Sequence, residues 1–237
     1  MRIQTEHNQI CWYAEGAFRD PSPQLFDPAW WQNNRQVVGT SIGRGVTWFV
    51  KDESRHLVLR HYYRGGMVGK VVRDRFWFEG VESSRAMAEY TLLARLCELG
   101  LPVPRPFGAR MVKHGPFYRA DILIERIRGA KDMVALLKQG PVATEVWHKI
   151  GQTVRQLHDA GVYHADLNSH NLLLDKTDKV WVIDFDKGAI RSPGEWQKAN
   201  LERLLRSFNK ESQLHTSFHF VPENWQTLMN GYQGKAI

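Results

Sequence analysis

Three stretches of this chain place apolar residues three and four positions apart, which is the spacing of one face of an α-helix. They cover residues 83–100, 144–161 and 195–210. Serine precedes the first stretch, and glycine ends the first and the second, as is usual where helices begin and end. The pattern predicts three helices. In the third, the basic residues, Arg203 among them, are expected on a solvated face opposite an apolar face that packs.

Shorter stretches rich in β-branched, leucine and aromatic residues predict strands. Residues 46–50 and 56–62 form two of them, and a polar turn separates them. Two further strands are expected around Arg110 and over residues 121–127, and another over residues 180–183.

The loop after the second helix carries the most informative pattern. It reads Y-H-A-D-L-N-S-H-N and places His164, Asp166 and Asn171 in the order H-x-D-x-x-x-x-N, while Asp184 follows the last predicted strand. An aspartate can accept a proton from a hydroxyl group, and an asparagine with a second aspartate supplies the oxygen ligands that Mg²⁺ prefers. Alternatively, Asp166 is a turn residue and Asn171 a cap. The order of helix, loop, hairpin and aspartate favours phosphoryl transfer to an alcohol.

This order resembles the core of protein-kinase-like phosphotransferases. The resemblance implies an α+β, bilobal fold with an antiparallel-sheet N-lobe over residues 1–127 and a mainly helical, shortened C-lobe over residues 128–237. The two lobes together are expected to form one kinase domain, with a hinge at Arg128-Gly129. Backbone groups near Glu125 and Ile127, just before this hinge, are expected to meet adenine.

Residues of the first half are expected to hold the nucleotide. Gly43 and Gly45 lie between two predicted strands, where backbone N–H groups can approach phosphates, although a plain hairpin would look the same. Arg60 stands where a kinase strand carries its phosphate-binding lysine, and Lys51 is the competing candidate. Glu89 either pairs with Arg60 or is an ordinary solvated side chain.

Several residues of the catalytic loop have more than one interpretation. His164 is expected to hold the loop together rather than to transfer a proton. Asn168 and His170 either contact the substrate or support the loop. Asp186, which stands where many protein kinases have glycine, either assists the metal site or caps the next turn.

The charge of the chain points to an anionic partner. The formal net charge is +7 and the isoelectric point is about 9.5. Basic and aromatic residues are interleaved between the Arg60 strand and the first helix, with Arg64, Lys70 and Arg73 among them. This mixture suits an anionic amphiphile at a bilayer surface, single-stranded nucleic acid, or a solvated loop with its aromatic residues turned inward.

Composition and length exclude several classes of protein. No apolar stretch approaches the roughly 20 residues needed to cross a bilayer, and the first residues lack the apolar core of a secretion signal. Cys11 and Cys97 are too few for a disulfide framework or a metal site, so reduced cytosolic thiols are expected. Roughly fifty residues follow Asp184, with no A-P-E element to support a peptide substrate. A sugar, a lipid or another small hydroxyl compound is therefore the expected acceptor.

Six motifs, spread over nearly the whole chain, indicate one family among the kinase-like proteins. They are L-R-H-Y-Y-R-G-G (Leu59–Gly66), G-L-P-V-P-R-P (Gly100–Pro106), Y-R-A-D-I (Tyr118–Ile122), Y-H-A-D-L-N-S-H-N (Tyr163–Asn171), V-I-D-F-D (Val182–Asp186) and N-L-E-R-L-L-R-S (Asn200–Ser207). In these motifs the chain resembles the bacterial 3-deoxy-D-manno-octulosonic acid (Kdo) kinases, which are grouped with the heptose kinases of the lipopolysaccharide core.

The resemblance implies a reaction and a location. The reaction is phosphorylation of the 4-hydroxyl of Kdo in Kdo-lipid IV(A) with ATP and Mg²⁺. The location is the cytoplasmic face of the inner membrane, where a peripheral protein would meet an anionic surface. No nucleic acid and no obligate protein partner are expected. A heptose kinase, a protein kinase and an inactive kinase-fold module that binds membrane or nucleic acid remain as alternatives.

Overall fold

The structure is a computed structural model that describes residues 1–43, 45–53, 55–64 and 74–236. Two of the candidate residues, Lys70 and Arg73, lie outside these ranges, as does the glycine pair Gly65-Gly66. In the part of the chain that is described, no helix has both the length and the apolar character needed to cross a membrane.

The chain folds into two compact units. The first comprises Met1–Ala94 and Arg105–Arg126, and the second comprises Arg95–Pro104 and the residues from Ile127 onward. The first unit contains a large antiparallel sheet and the second is mainly helical. The α+β class predicted from the sequence is confirmed.

Within the described residues, the first unit is built on an eight-stranded antiparallel sheet with two α-helices. Its strands are β1 (Arg2–Glu6), β2 (Gln9–Tyr13), β3 (Val37–Ile42), β4 (Val46–Asp52), β5 (Arg55–His61), β6 (Phe76–Trp77), β7 (Pro106–His114) and β8 (Phe117–Glu125). The strand order is β1-β2-β7-β8-β5-β4-β3, and β6 pairs with β8. Helix α1 is Pro28–Asn33, and helix α2, Arg85–Glu98, begins in this unit.

The two faces of this sheet differ in what they bury. In β5, Leu57 and Leu59 point into an apolar cluster that also contains Trp31 and Leu123. Successive side chains of a strand point to opposite faces. Arg60, which follows Leu59, is therefore directed to the other face, which carries the first turns of α2. This alternation places one charged side chain of β5 next to the helix without disturbing the apolar cluster.

The second unit contains four helices and five short strands. The helices are α3 (Met133–Leu137), α4 (Thr144–Asp159), α5 (Glu195–Leu214) and α6 (Pro222–Tyr232). The strands are β9 (Lys131–Asp132), β10 (Val162–Tyr163), β11 (Leu172–Leu174), β12 (Val180–Val182) and β13 (Ala189–Ile190). Strands β12, β11 and β9 form one small sheet, and β10 pairs with β13.

Helices α4 and α6 approach each other closely because each has a glycine at the contact. A Cβ atom added to Gly151 of α4 would overlap the carbonyl oxygen of Leu228. A Cβ atom on Gly231 of α6 would overlap the carbonyl oxygen of His148. Both obstacles are backbone atoms, so a larger residue could fit only if the helices moved apart. The catalytic loop follows α4 directly, so this contact also anchors the loop.

We expect Gly151→Ala to lower the free energy of unfolding by about 2 kcal/mol, because the methyl group forces two packed helices apart. Urea unfolding of the variant would measure this change. Gly140→Ala is the matched control, because no atom lies within 4 Å of a Cβ at that position. Equal stability of the two variants would contradict the close approach of α4 and α6.

Candidate active site

The carboxylate of Asp166 reaches solvent from a loop whose backbone is tightly held. The Asp166 amide donates to Nδ1 of His164 at 3.1 Å. Its carbonyl oxygen accepts from the side-chain amides of Asn168, at 3.0 Å, and Asn171, at 2.9 Å. The side chain itself is 46% exposed. The loop thus presents one carboxylate in a fixed orientation, as a general base requires.

His164 supports this loop from the interior of the protein. Its ring is buried and lies 4.8 Å from the ring of Phe185. Because Nδ1 accepts from the Asp166 amide, the ring proton is on Nε2, which donates to the carbonyl of Ile183 at 2.9 Å. Burial lowers the pKa of His164, against the opposing effect of the Ile183 hydrogen bond. A neutral, fully engaged imidazole matches the predicted support role.

Asn171 and Asp184 are tied together by the backbone. The amide of Ile183 donates to the carbonyl of Asn171 at 3.0 Å, so the residue before Asp184 is held against Asn171. The side-chain nitrogen of Asn171 donates to the carbonyl oxygen of Asp166. The side-chain oxygen of Asn171 is therefore the atom that can coordinate a metal. Asp184 has a φ of 64°, a region that costs a non-glycine residue about 1 kcal/mol and that is frequent at functional sites.

These two side chains suit a magnesium ion that is bound together with a nucleotide. Both carry oxygen donors, which Mg²⁺ prefers, and Mg²⁺ usually takes one or two protein ligands plus phosphate oxygens and water. Among the described residues, no group of three or more His, Cys, Asp or Glu residues could hold a metal by itself. With two oxygen donors, Asn171 and Asp184 would leave the remaining positions of such an ion to phosphate oxygens and water.

Asn168 and His170 lie in the same loop and make contacts within the protein. The Asn168 side-chain oxygen accepts from the amides of His170, at 2.9 Å, and Asn171, at 3.2 Å. Nε2 of His170 lies 3.3 Å from Glu211, and Nδ1 lies 3.6 Å from Asp132. Of the two interpretations, these contacts favour loop support for both residues.

Helix α5 holds the loop with a stripe of polar side chains, which sequence reasoning missed. The stripe residues are three or four positions apart and share one face of the helix. Arg203 is exposed, as predicted for the solvated face of the helix, and its Nη1 also bonds the Asp166 carboxylate at 3.1 Å, a contact that was not predicted. Polar residues at helical spacing beside the apolar face of the helix were the available signal. The pairs are Asn200 with His164, Arg203 with Asp166, Ser207 with Ser169, and Glu211 with His170.

In the first unit, Arg60 pairs with Glu89 of α2. Nη2 of Arg60 lies 2.6 Å from Oε1 of Glu89, whose side chain is only 1% exposed. The Tyr62 hydroxyl donates to the same carboxylate at 2.7 Å, and the Arg60 guanidinium lies 5.1 Å from the Tyr62 ring centre. The solvated alternative for Glu89 is therefore wrong. Lys51 is exposed, so Arg60 is the cation that this arrangement holds in place.

The remaining nucleotide candidates lie at a hairpin tip and at the end of the sheet. The Gly43 amide donates to the Gly45 carbonyl at 3.0 Å, between β3 and β4. A Cβ on Gly45 would overlap the Tyr63 ring, so a larger residue there would require that ring to move. The Glu125 amide already donates to the Arg105 carbonyl at 2.8 Å, which leaves its carbonyl as the possible adenine contact. The roles of Gly43, Gly45, Glu125 and Ile127 toward a nucleotide stay predictions.

The chain is similar to known proteins over most of its length. The profile of the lipopolysaccharide kinase (Kdo/WaaP) family matches residues 28–232. A 3-deoxy-D-manno-octulosonic acid kinase of Vibrio parahaemolyticus is 48% identical over 223 residues, which cover 94% of this chain and 93% of that protein. The kinase of the same name from Photobacterium profundum is 45% identical and covers 95% of each chain. A third, from Vibrio cholerae, is 44% identical over 88% of this chain and 90% of its own.

The match extends across both units and includes every residue of the catalytic loop and of the Arg60–Glu89 pair. Identity above 40% over nearly the whole length of several proteins leaves little room for a different fold. The chain therefore belongs to the lipopolysaccharide kinase (Kdo/WaaP) family, as its motifs predicted.

Proposed function

We propose that this protein transfers the γ-phosphoryl group of ATP to the 4-hydroxyl of Kdo in Kdo-lipid IV(A), as a step of lipopolysaccharide core synthesis. Membership of the family makes it a phosphotransferase. The relatives are named as kinases of 3-deoxy-D-manno-octulosonic acid, and we take this acid sugar as the acceptor. The observation that carries the reaction is the exposed Asp166 carboxylate, which four backbone and side-chain contacts hold in place.

The roles of the side chains follow from their contacts. Asp166 orients the acceptor hydroxyl and takes its proton as the oxygen attacks phosphorus. Arg60, fixed by Glu89, compensates the negative charge of the triphosphate. Asn171 and Asp184 would hold Mg²⁺, which neutralises phosphate charge when it is bound. Positioning and charge compensation are enough for most of the acceleration, because phosphoryl transfer needs little covalent help from the protein.

The acceptor is tested by direct transfer of label. The purified chain is incubated with γ-labelled ATP, Mg²⁺ and either Kdo-lipid IV(A), a heptosylated core or an unrelated protein. Label on the Kdo lipid alone is the expected result. Label only on the heptosylated core would keep the mechanism but replace the acceptor by heptose. Label only on protein, or on nothing, would overturn the proposal.

We further propose that the protein works as a peripheral protein on the anionic inner membrane, through a surface of the first unit that we call the Trp77 surface. Trp77 is 58% exposed, and its ring lies 5.5 Å from that of Phe117 on the neighbouring strand. Arg119 lies two residues from Phe117 on β8 and so shares this face, where it pairs with Asp74 at 2.8 Å, and the exposed Arg75 directly precedes β6. An exposed tryptophan flanked by cations is typical of contact with lipid head groups.

Trp77→Ala is expected to weaken binding to vesicles of anionic phospholipid on the order of tenfold. The variant lacks the indole ring, whose transfer from water into the bilayer surface would contribute to binding. Co-sedimentation at several lipid concentrations would measure the change. The control is Leu214→Ala, which removes an exposed apolar side chain of the second unit. If both variants bind as the unaltered chain does, the Trp77 surface does not contact the bilayer.

A further inference from the structure

The ion pair between Arg203 and Asp166 contributes little to the fold. Both side chains are close to half exposed, at 47% and 46%. Ion pairs between exposed side chains contribute little to stability, because water screens them and two long side chains must be ordered. Asn200 and Ser207 on the same helix already hold the loop through closer, more buried contacts. A role in substrate recognition is therefore the better explanation of Arg203.

The chemistry of arginine suits it to hold two anions at once. The guanidinium is planar, permanently charged and carries five N–H donors. The bond from Nη1 to the Asp166 carboxylate leaves most of these donors for another acceptor. Both groups are exposed and bonded to each other, so a hydroxyl that meets the Asp166 carboxylate comes close to the guanidinium. An anion carried by the same molecule as that hydroxyl would come within reach of Arg203.

We infer that Arg203 binds the carboxylate of the acceptor sugar and thereby selects a sugar acid over a neutral sugar. This inference rests on the proposed function, since it assumes that the acceptor is the octulosonic acid. One ring carries the carboxylate and the hydroxyl, so Arg203 and Asp166 together fix both ends of the reacting unit. Arg203 is an acceptor-binding residue in this account, and its contact with Asp166 sets the angle between the two sites.

The test uses one acceptor in two charge states. Initial rates are measured with Kdo-lipid IV(A) and with the methyl ester of its Kdo carboxyl group, at saturating ATP. The enzymes are the unaltered chain, Arg203→Gln, Arg203→Lys and the control Arg206→Gln. Arg206 is on the same helix three residues later, is 67% exposed and lies 3.8 Å from Glu202. Thermal unfolding of each variant checks that the fold is intact.

Arg203→Gln is expected to raise the KM for the acid roughly 10- to 100-fold, the effect of losing a hydrogen bond to a charged group. Its KM for the ester should stay close to that of the unaltered chain, because the ester lacks the charge that Arg203 binds, while any loss of kcat from the missing Asp166 contact should be the same with both acceptors. Arg203→Lys should keep part of the preference for the acid, because it keeps the charge but not the planar fork. Arg206→Gln should keep the full preference for the acid over the ester.

Two results would overturn the inference alone, and a third would overturn the proposed function as well. A KM that changes equally with acid and ester in Arg203→Gln would assign Arg203 to Asp166 or to the transferred phosphoryl group. Unchanged kinetics with the acid would remove Arg203 from the site. If the unaltered chain phosphorylates neither acceptor, the proposed function fails first, and the inference fails with it.

Discussion

Replacement of Asp166 by asparagine is expected to lower kcat about 10³-fold, because general-base catalysis by a positioned carboxylate contributes a factor of this order. The asparagine has nearly the same shape, and the backbone contacts to His164, Asn168 and Asn171 do not involve the altered atoms. The KM for ATP should therefore change little. Steady-state rates with labelled ATP and Kdo-lipid IV(A) would measure both constants.

Asp178→Asn is the matched control for this substitution. Asp178 is an exposed aspartate of the β11–β12 turn with a φ of 56°, which asparagine adopts readily. Its kcat should equal that of the unaltered chain. Substantial activity of Asp166→Asn would mean that the hydroxyl needs no base, and Asp166 would then be a structural residue of the loop.

Glu89→Gln is expected to raise the KM for ATP roughly 10- to 100-fold, since it removes the charged partner that orients Arg60. The carboxylate accepts from both Arg60 and Tyr62, and an amide of the same size can keep the Tyr62 contact but no longer balances the charge of the guanidinium. Arg60 is then free to turn away from the triphosphate. Initial rates at varied ATP would measure the change, and kcat should fall less than the affinity.

Glu98→Gln on the same helix is the control, because Glu98 is exposed and pairs only with its neighbour Arg95 among the contacts described. Tyr62→Phe gives an intermediate case, since it removes one of the two donors to Glu89 and leaves the charge pair intact. Its KM for ATP should lie between those of Glu98→Gln and Glu89→Gln. An unchanged KM in Glu89→Gln, with a stable fold, would remove the Arg60–Glu89 pair from nucleotide binding.

The structure also explains why some elements could not be predicted. Strand β1 has mostly exposed side chains, so no alternation of apolar and polar residues marks it. It exists because β2 offers a pairing edge, with Arg2 opposite Tyr13 at one end of the ladder. Helix α1 has only six residues, which is too short to show a periodic pattern. In both cases the stabilising contacts come from elsewhere in the unit.

Burial was the second property that the sequence could not show. Glu89 and Glu211 look like ordinary carboxylates of amphipathic helices, yet both are almost fully buried. A buried charged residue needs partners that compensate its charge. Arg60, the partner of Glu89, is 29 residues away in the sequence. Glu211 pairs with His215 one turn later in the same helix and with His170, which is 41 residues away. A local pattern can contain the Glu211–His215 pair but neither of the two distant ones.

By itself, the sequence determined the family, the class of reaction and the catalytic loop. This was possible because Asp166 and Asn171 lie five residues apart in one loop, and Asp184 follows a strand that pairs directly with the strand after that loop. Their spacing along the chain is the spacing that the chemistry needs. Motifs of this kind are local, so they can be recognised without knowledge of how the chain folds.

Only the tertiary structure decided which side chains surround these groups. It placed Arg60 rather than Lys51 beside Glu89, and it brought Arg203, an exposed residue as the helical pattern predicted, into contact with the catalytic carboxylate. Contacts of this kind join elements far apart in sequence, and the packing of whole helices and sheets brings them together. Hydrophobic burial sets that packing, and the polar contacts that follow from it depend on the three-dimensional arrangement alone.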